Sequence, residues 1–176
     1  MSIRNFGRRK PMRQFTLPLL DDAQRPIVYL ADYFQLNAML DTGSLFPVWV
    51  ENEDFLKNIG GIPIAYNQPF GGFGGMATGT LYRVPIFRCG ELMFPEFPII
   101  ASQISLPCQM LLTATMFSGL IYEVDDCHHR FNVTIPDRQS CVRKLTIEDS
   151  QGRLHVLCVS GEEDASKCNS YNGKRS

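Results

Sequence analysis

Short apolar runs rich in β-branched and aromatic residues, broken at close intervals by Gly, Pro, Asn and Asp, set the texture of this chain. That rhythm predicts strands joined by tight turns. QFTLPLL (14–20) and RPIVYLA (25–31) flank DDAQ and read as a hairpin. FQLNAML (34–40) alternates with period two: Phe34, Leu36, Ala38 and Leu40 fall on one side, Gln35, Asn37 and Met39 on the other. It stops at Asp41. FPVWV (46–50) predicts another strand, with Trp49 as core packing. ENEDFLKNIG (51–60) has acids early, Lys57 late and glycine last, which predicts a helix of one or two turns. TLYRVPIF (80–87) and LMFPEFPIIA (92–101) predict strands around a turn at RCGE, with prolines suited to edges or bulges. The stretch from Cys108 begins as a buried strand, becomes a short helix from about Ala114 and ends near Gly119. HRFNVTIPD (129–137) is a strand, and residues 141–159 form a hairpin around Asp149-Ser150-Gln151-Gly152. Roughly eight or nine strands with one or two short helices predict an all-β protein, a closed or partly open β-barrel.

Composition adds bounds. The 176 residues and 44% apolar content fit one domain. We expect that domain over 14–160, after a basic arm (1–13) with Arg4, Arg8, Arg9, Lys10 and Arg13 and before a polar tail (161–176). A net charge of −1 gives no global field for nucleic acid or membrane, and neither is an expected partner. The apolar stretch after the arm is too short for a secretory leader, and no run reaches the roughly 18 residues of a membrane span, so a cytoplasmic location is expected. Six cysteines stand without a C-x-x-C pair and read as free thiols. Cys127, His128 and His129 beside Asp125 and Asp126 look like metal-binding material. Adjacent strand residues face opposite ways, so a solvated turn is the better reading; no metal or cofactor is expected.

The sharpest chemical signal is Asp41-Thr42-Gly43-Ser44. A carboxylate between apolar runs is costly to bury unless hydrogen bonds hold it. Here the lead-in places Asp41 at a strand end. Thr42 can bond backbone across a tight loop, Gly43 lets amide groups face the carboxylate, and Ser44 can donate a further hydrogen bond to it. That last bond would lower the pKa of Asp41 and shift activity toward acid.

With its neighbours, this loop resembles a known family. AMLDTGS (38–44) resembles the catalytic loop of aspartic proteases of the retropepsin-like, single-lobe kind. FGGFGGMATGTLYRVPIF (70–87) looks like their glycine-rich flap, and MLLTATMF (110–117) like the segment that crosses behind the catalytic loop. The resemblance spans about residues 14–137. It implies a retropepsin-like barrel and an endopeptidase acting on extended polypeptide. Asp41 would be the catalytic residue, with Thr42, Gly43 and Ser44 supporting its loop. Gly72, Phe73, Gly74 and Gly75 would form the part of the flap that binds substrate, with Phe70 and Phe73 covering the site. It also implies a homodimer, because hydrolysis needs two carboxylates and this chain carries one Asp-Thr-Gly.

The chain departs from the family at Thr113, where a glycine is usual, so the approach of that segment to the loop is at issue. Ala114 and Leu45-Phe46-Pro47 replace both members of an ion pair common in viral relatives, which leaves no orphaned charge. The alternative reading is a catalytically silent binding or dimerisation module on the same barrel.

Overall fold

A computed structural model describes residues 12–20, 25–33, 35–72 and 75–161. DDAQ, Phe34, most of the basic arm and nearly all of the polar tail lie outside these. The class is all-β. Twelve strands occur among the described residues: β1 (Arg13–Pro18), β2 (Ile27–Leu30), β3 (Leu36–Asp41), β4 (Val48–Trp49), β5 (Ile62–Gly72), β6 (Gly75–Cys89), β7 (Leu92–Ala101), β8 (Met110–Thr113), β9 (Ile121–Asp125), β10 (Arg130–Ile135), β11 (Arg143–Ser150) and β12 (Arg153–Ser160). One short helix, α1 (Asp54–Asn58), and three single 3-10 turns complete the list.

Seven strands form the main sheet in the order β2-β3-β8-β4-β7-β6-β5. β3 runs parallel to β8 and antiparallel to β2. An interior strand covered on both faces reads as apolar throughout rather than alternating. That explains Met39: period two puts it on the polar side, yet it is buried with Ala38 and Leu40. A second sheet has the order β1-β10-β9, and β11 and β12 pair as a separate hairpin.

Two sequence expectations change. The segments flanking DDAQ do not make a full hairpin. They share a single bridge, Leu19 to Val28, while β1 forms its ladder with β10, from Arg13 opposite Ile135 to Pro18 opposite Arg130. β10 offers a better partner because Phe131, Val133 and Ile135 alternate into the core beside Leu17. Strands β5 and β9 were not foreseen. β5 carries a proline at each end of its apolar part and two register shifts, with Asn67 at φ 50 beside the second. β9 is mostly exposed, so it has little apolar signal.

The prolines of β7 sit where edges permit. β7 meets β4 only at Ile100 and Ala101, so Pro95 and Pro98 need no donor on that side. Just past the end of α1 stands Gly60, φ 88, whose N–H donates to the Lys57 carbonyl. Below it Trp49 stacks on Phe55 at 4.6 Å between centroids and donates through Nε1 to the Asn52 carbonyl. Phe87, Phe94 and Phe97 fill the core between β6 and β7, with Phe87 and Phe97 stacked at 4.4 Å. No helix among the described residues is long and apolar enough to cross a membrane.

Candidate active site

β3 delivers Asp41 at its C-terminal end, directly opposite Thr113 of β8 in the parallel register. The chain then turns. Gly43 N–H donates to Asp41 Oδ1 at 2.9 Å, and Ser44 N–H to the Asp41 carbonyl at 3.2 Å. A Cβ on Gly43 would sit 3.3 Å from that same Oδ1, so a side chain there would press on the carboxylate it now holds. Asp41 is half-buried, Thr42 and Gly43 are exposed, and Ser44 is buried.

The Ser44 hydroxyl does not serve the carboxylate. It donates at 2.6 Å to the carbonyl of Phe46. A hydroxyl has one proton, and a carbonyl can only accept, so that proton is committed. The expected hydrogen bond from Ser44 to the carboxylate is therefore not made. Ser44 shapes the loop instead.

Thr113 resolves the question raised by the missing glycine. Its side chain is fully buried, and its hydroxyl donates to the Ser44 carbonyl at 2.7 Å. The same oxygen accepts from Thr115 N–H at 3.4 Å and so caps the 3-10 turn over Ala114–Phe117. The side chain is thus a cross-link between β8 and the Asp41 loop. Behind that turn lies Arg143, fully buried on β11. Its Nε donates to the Met116 carbonyl at 2.9 Å, its second amino group to the Ser118 carbonyl, and the third nitrogen to Gln139 Oε1 at 3.3 Å. Sequence reasoning passed over Arg143, since nothing in CVRKLTIEDS distinguishes a buried arginine from a solvated one.

Asp41 opens into a small pocket of about 80 Å³. Met39, Val48 and Leu111 line it from the sheet, and Ile104 and Leu106 from the segment before β8. Phe70, Gly71 and Gly75 close it from the β5–β6 hairpin, where Gly71 pairs with Met76 and Gly72 with Gly75. Phe73 and Gly74, at the tip, lie outside the described residues, and Gly72 is described only by its backbone pairing. Arg25 also lines the pocket and was not singled out; it precedes β2, and only the strand order brings it beside Asp41.

Among solved structures, the chain is similar to the crystal structure of a retropepsin-like aspartic protease from Rickettsia conorii. The likeness covers 71% of this chain and 92% of that one, at 13% identity and a TM-score of 0.49. No family model matches the chain, and no curated protein does. What this chain can do is therefore read from its own residues.

The other candidate constellations do not converge. Asp126–His128 form an exposed 3-10 turn in which Asp125 accepts from the His128 backbone at 3.2 Å and from its ring Nδ1 at 2.8 Å. The His128 contact is the main cause that holds the Asp125 carboxyl below the usual range. No cluster of His, Cys, Asp and Glu among the described residues is arranged to hold a metal. Cys89, Cys108, Cys127 and Cys158 are free thiols, but Cys141 is disulfide-bonded, against the expectation from spacing. Spacing fails there because a disulfide joins positions that the fold, not the sequence, brings together. Burial pushes the Cys89 thiol up to about 12 and raises that of Cys108, so neither is a nucleophile near neutral pH.

Proposed function

We propose that this chain is an aspartic endopeptidase that cleaves extended polypeptide segments as a homodimer, with residues 14–160 as its protease domain. The observation that carries this reading is the placement of Asp41: a half-buried carboxylate held by its own loop, facing an apolar pocket beneath a glycine-rich hairpin. Two such carboxylates at about 3 Å cannot both ionise, so the pair shares a proton and titrates as a unit. The ionised member takes a proton from the attacking water while the protonated one donates to the scissile carbonyl. Both roles come from Asp41, one from each protomer.

Two features favour the second copy. The loop exposes Thr42 and Gly43 beside the half-buried acid, which leaves the tip available to its symmetry mate. The pocket in one protomer, about 80 Å³, is below the roughly 300 Å³ at which ligand sites begin, so one protomer alone does not offer a complete cleft. Gly72, Phe73, Gly74 and Gly75 act as a flap whose backbone pairs with substrate, and Phe70 lines the pocket beneath it. Thr42 and Gly43 present the carboxylate; Ser44 and Thr113 fix the loop behind it. The chemistry needs no metal or cofactor, and neither nucleic acid nor a membrane takes part.

The test is cleavage of a peptide library by wild type and by Asp41→Asn, with a pepstatin-type inhibitor as control. Loss of cleavage in the variant and inhibition of the wild type are expected; equal cleavage by both proteins ends the protease reading.

A further inference from the structure

A second cavity opens on the other side of the flap base. Its volume is about 270 Å³, and it is lined by Gly43, Leu45, Gly71, Gly75, Met76 and Arg153. Gly71 and Gly75 line the Asp41 pocket as well, so the two spaces share the flap as a wall. Arg153 is the first residue of β12, in the hairpin that lies beyond the segment resembling the protease family.

We propose that this cavity is a substrate subsite for an acidic side chain, with Arg153 as its cation; the proposal rests on the protease reading above. Position is the first reason. β12 is fastened to the catalytic loop by Val156 N–H, which donates to the Leu45 carbonyl at 3.1 Å, and by the buried Leu154 and Val156. Arg153 is thereby held one loop away from Asp41 rather than placed on a wandering arm. Charge is the second reason. The guanidinium has no hydrogen bond or ion pair among the described residues, and no carboxylate lines the cavity. An unpaired guanidinium presents a planar fork suited to a carboxylate. The walls are the third. Leu45 and Met76 are large apolar side chains left 45% and 58% exposed, which suits the methylenes of a glutamate reaching toward the arginine. In the homodimer the subsite occurs twice, so acidic residues are selected on both sides of the scissile bond.

The experiment uses amide-capped peptides with one cleavable core, carrying Glu, Gln or Lys in turn at each flanking position. Wild type, Arg153→Ala, Arg153→Glu and Asp41→Asn are compared as full chains. Wild type should favour Glu over Gln at one position on each side of the scissile bond by about 3- to 5-fold in kcat/KM, the size of a partly exposed ion pair. Arg153→Ala should bring that ratio to about one, and Arg153→Glu should favour Lys. High salt should shrink the wild-type preference. A wild type indifferent to Glu at every position, or a preference that survives in Arg153→Glu, overturns the subsite. If no peptide is cleaved, the protease reading fails separately. Binding of the same peptides, fluorescently labelled, to Asp41→Asn and to the Asp41→Asn/Arg153→Glu double variant then reads the charge preference without turnover. Equal binding of Glu and Lys peptides by both overturns it.

Discussion

The two sides of the Asp41 pocket are built in opposite ways. The floor is a stack of buried connections: β3 beside β8, Thr113 bonded to Ser44, Ser44 to Phe46, and Arg143 bracing the turn behind them. The roof is a two-strand ribbon at the sheet edge, irregular through its bulges and with Met76 exposed. A floor of that kind holds a carboxylate in one place, and a roof of that kind opens with little loss of packing. Damage to the floor should therefore appear as lost stability together with lost activity. Damage to the roof should appear in activity first.

The strongest challenge to the floor is Arg143→Met. It leaves the Met116 and Ser118 carbonyls without their charged donor, and unfolding free energy should fall by about 3 kcal/mol in a denaturant titration. A change within experimental error would remove Arg143 from the brace. Next is Thr113→Val, similar in shape but without the hydroxyl. The buried Ser44 carbonyl then loses its donor, at a cost of about 1–3 kcal/mol, and Thr113→Ser should recover most of it. Ser44→Ala should cost about 1–2 kcal/mol for the same reason at Phe46, yet leave the pH–activity profile in place. An alkaline displacement of that profile would show the hydroxyl acting on Asp41 after all.

The smallest effect separates the parts of the roof. Where β6 leaves the two-strand ribbon and joins the sheet, a Cβ on Gly79 would lie 2.4 Å from the Ala101 carbonyl oxygen, so Gly79→Ala must displace β7 and should cost about 1–2 kcal/mol. Gly71, nearer the tip, would meet only Met76 Sδ at 3.7 Å. Gly71→Ala should keep stability within about 0.5 kcal/mol of wild type while slowing cleavage. Equal destabilisation by the two would mean that the ribbon is as rigid as the sheet.

The division into floor and roof was partly legible in the sequence. Apolar residues leading into Asp-Thr-Gly-Ser marked a carboxylate at a strand end, and paired glycines marked a hairpin, because both signals are local. Trp49 and the short helix around Lys57 were legible for the same reason. What escaped depends on distant pairing. Met39 looked polar-facing until β2 and β8 covered β3. The residues around DDAQ looked like a hairpin until β10 supplied the longer ladder for β1. Ser44 stood next to the carboxylate in sequence, but its proton goes to a carbonyl two residues on. Arg143 and Arg153 lie in one hairpin only ten residues apart, and composition cannot tell that one is buried against a turn while the other faces a cavity.

The central claim is that one site is shared by two chains, and mixing tests it most directly. Wild type and Asp41→Asn are denatured together in equal amounts, refolded at fixed total concentration and assayed on a single peptide. A site needing Asp41 from both protomers leaves only wild-type pairs active, so cleavage should fall to about one quarter of the all-wild-type value. Activity at one half, in simple proportion to the wild-type chain, would mean that each chain carries its own site, and activity at three quarters that one Asp41 suffices for a shared site; either would contradict the account.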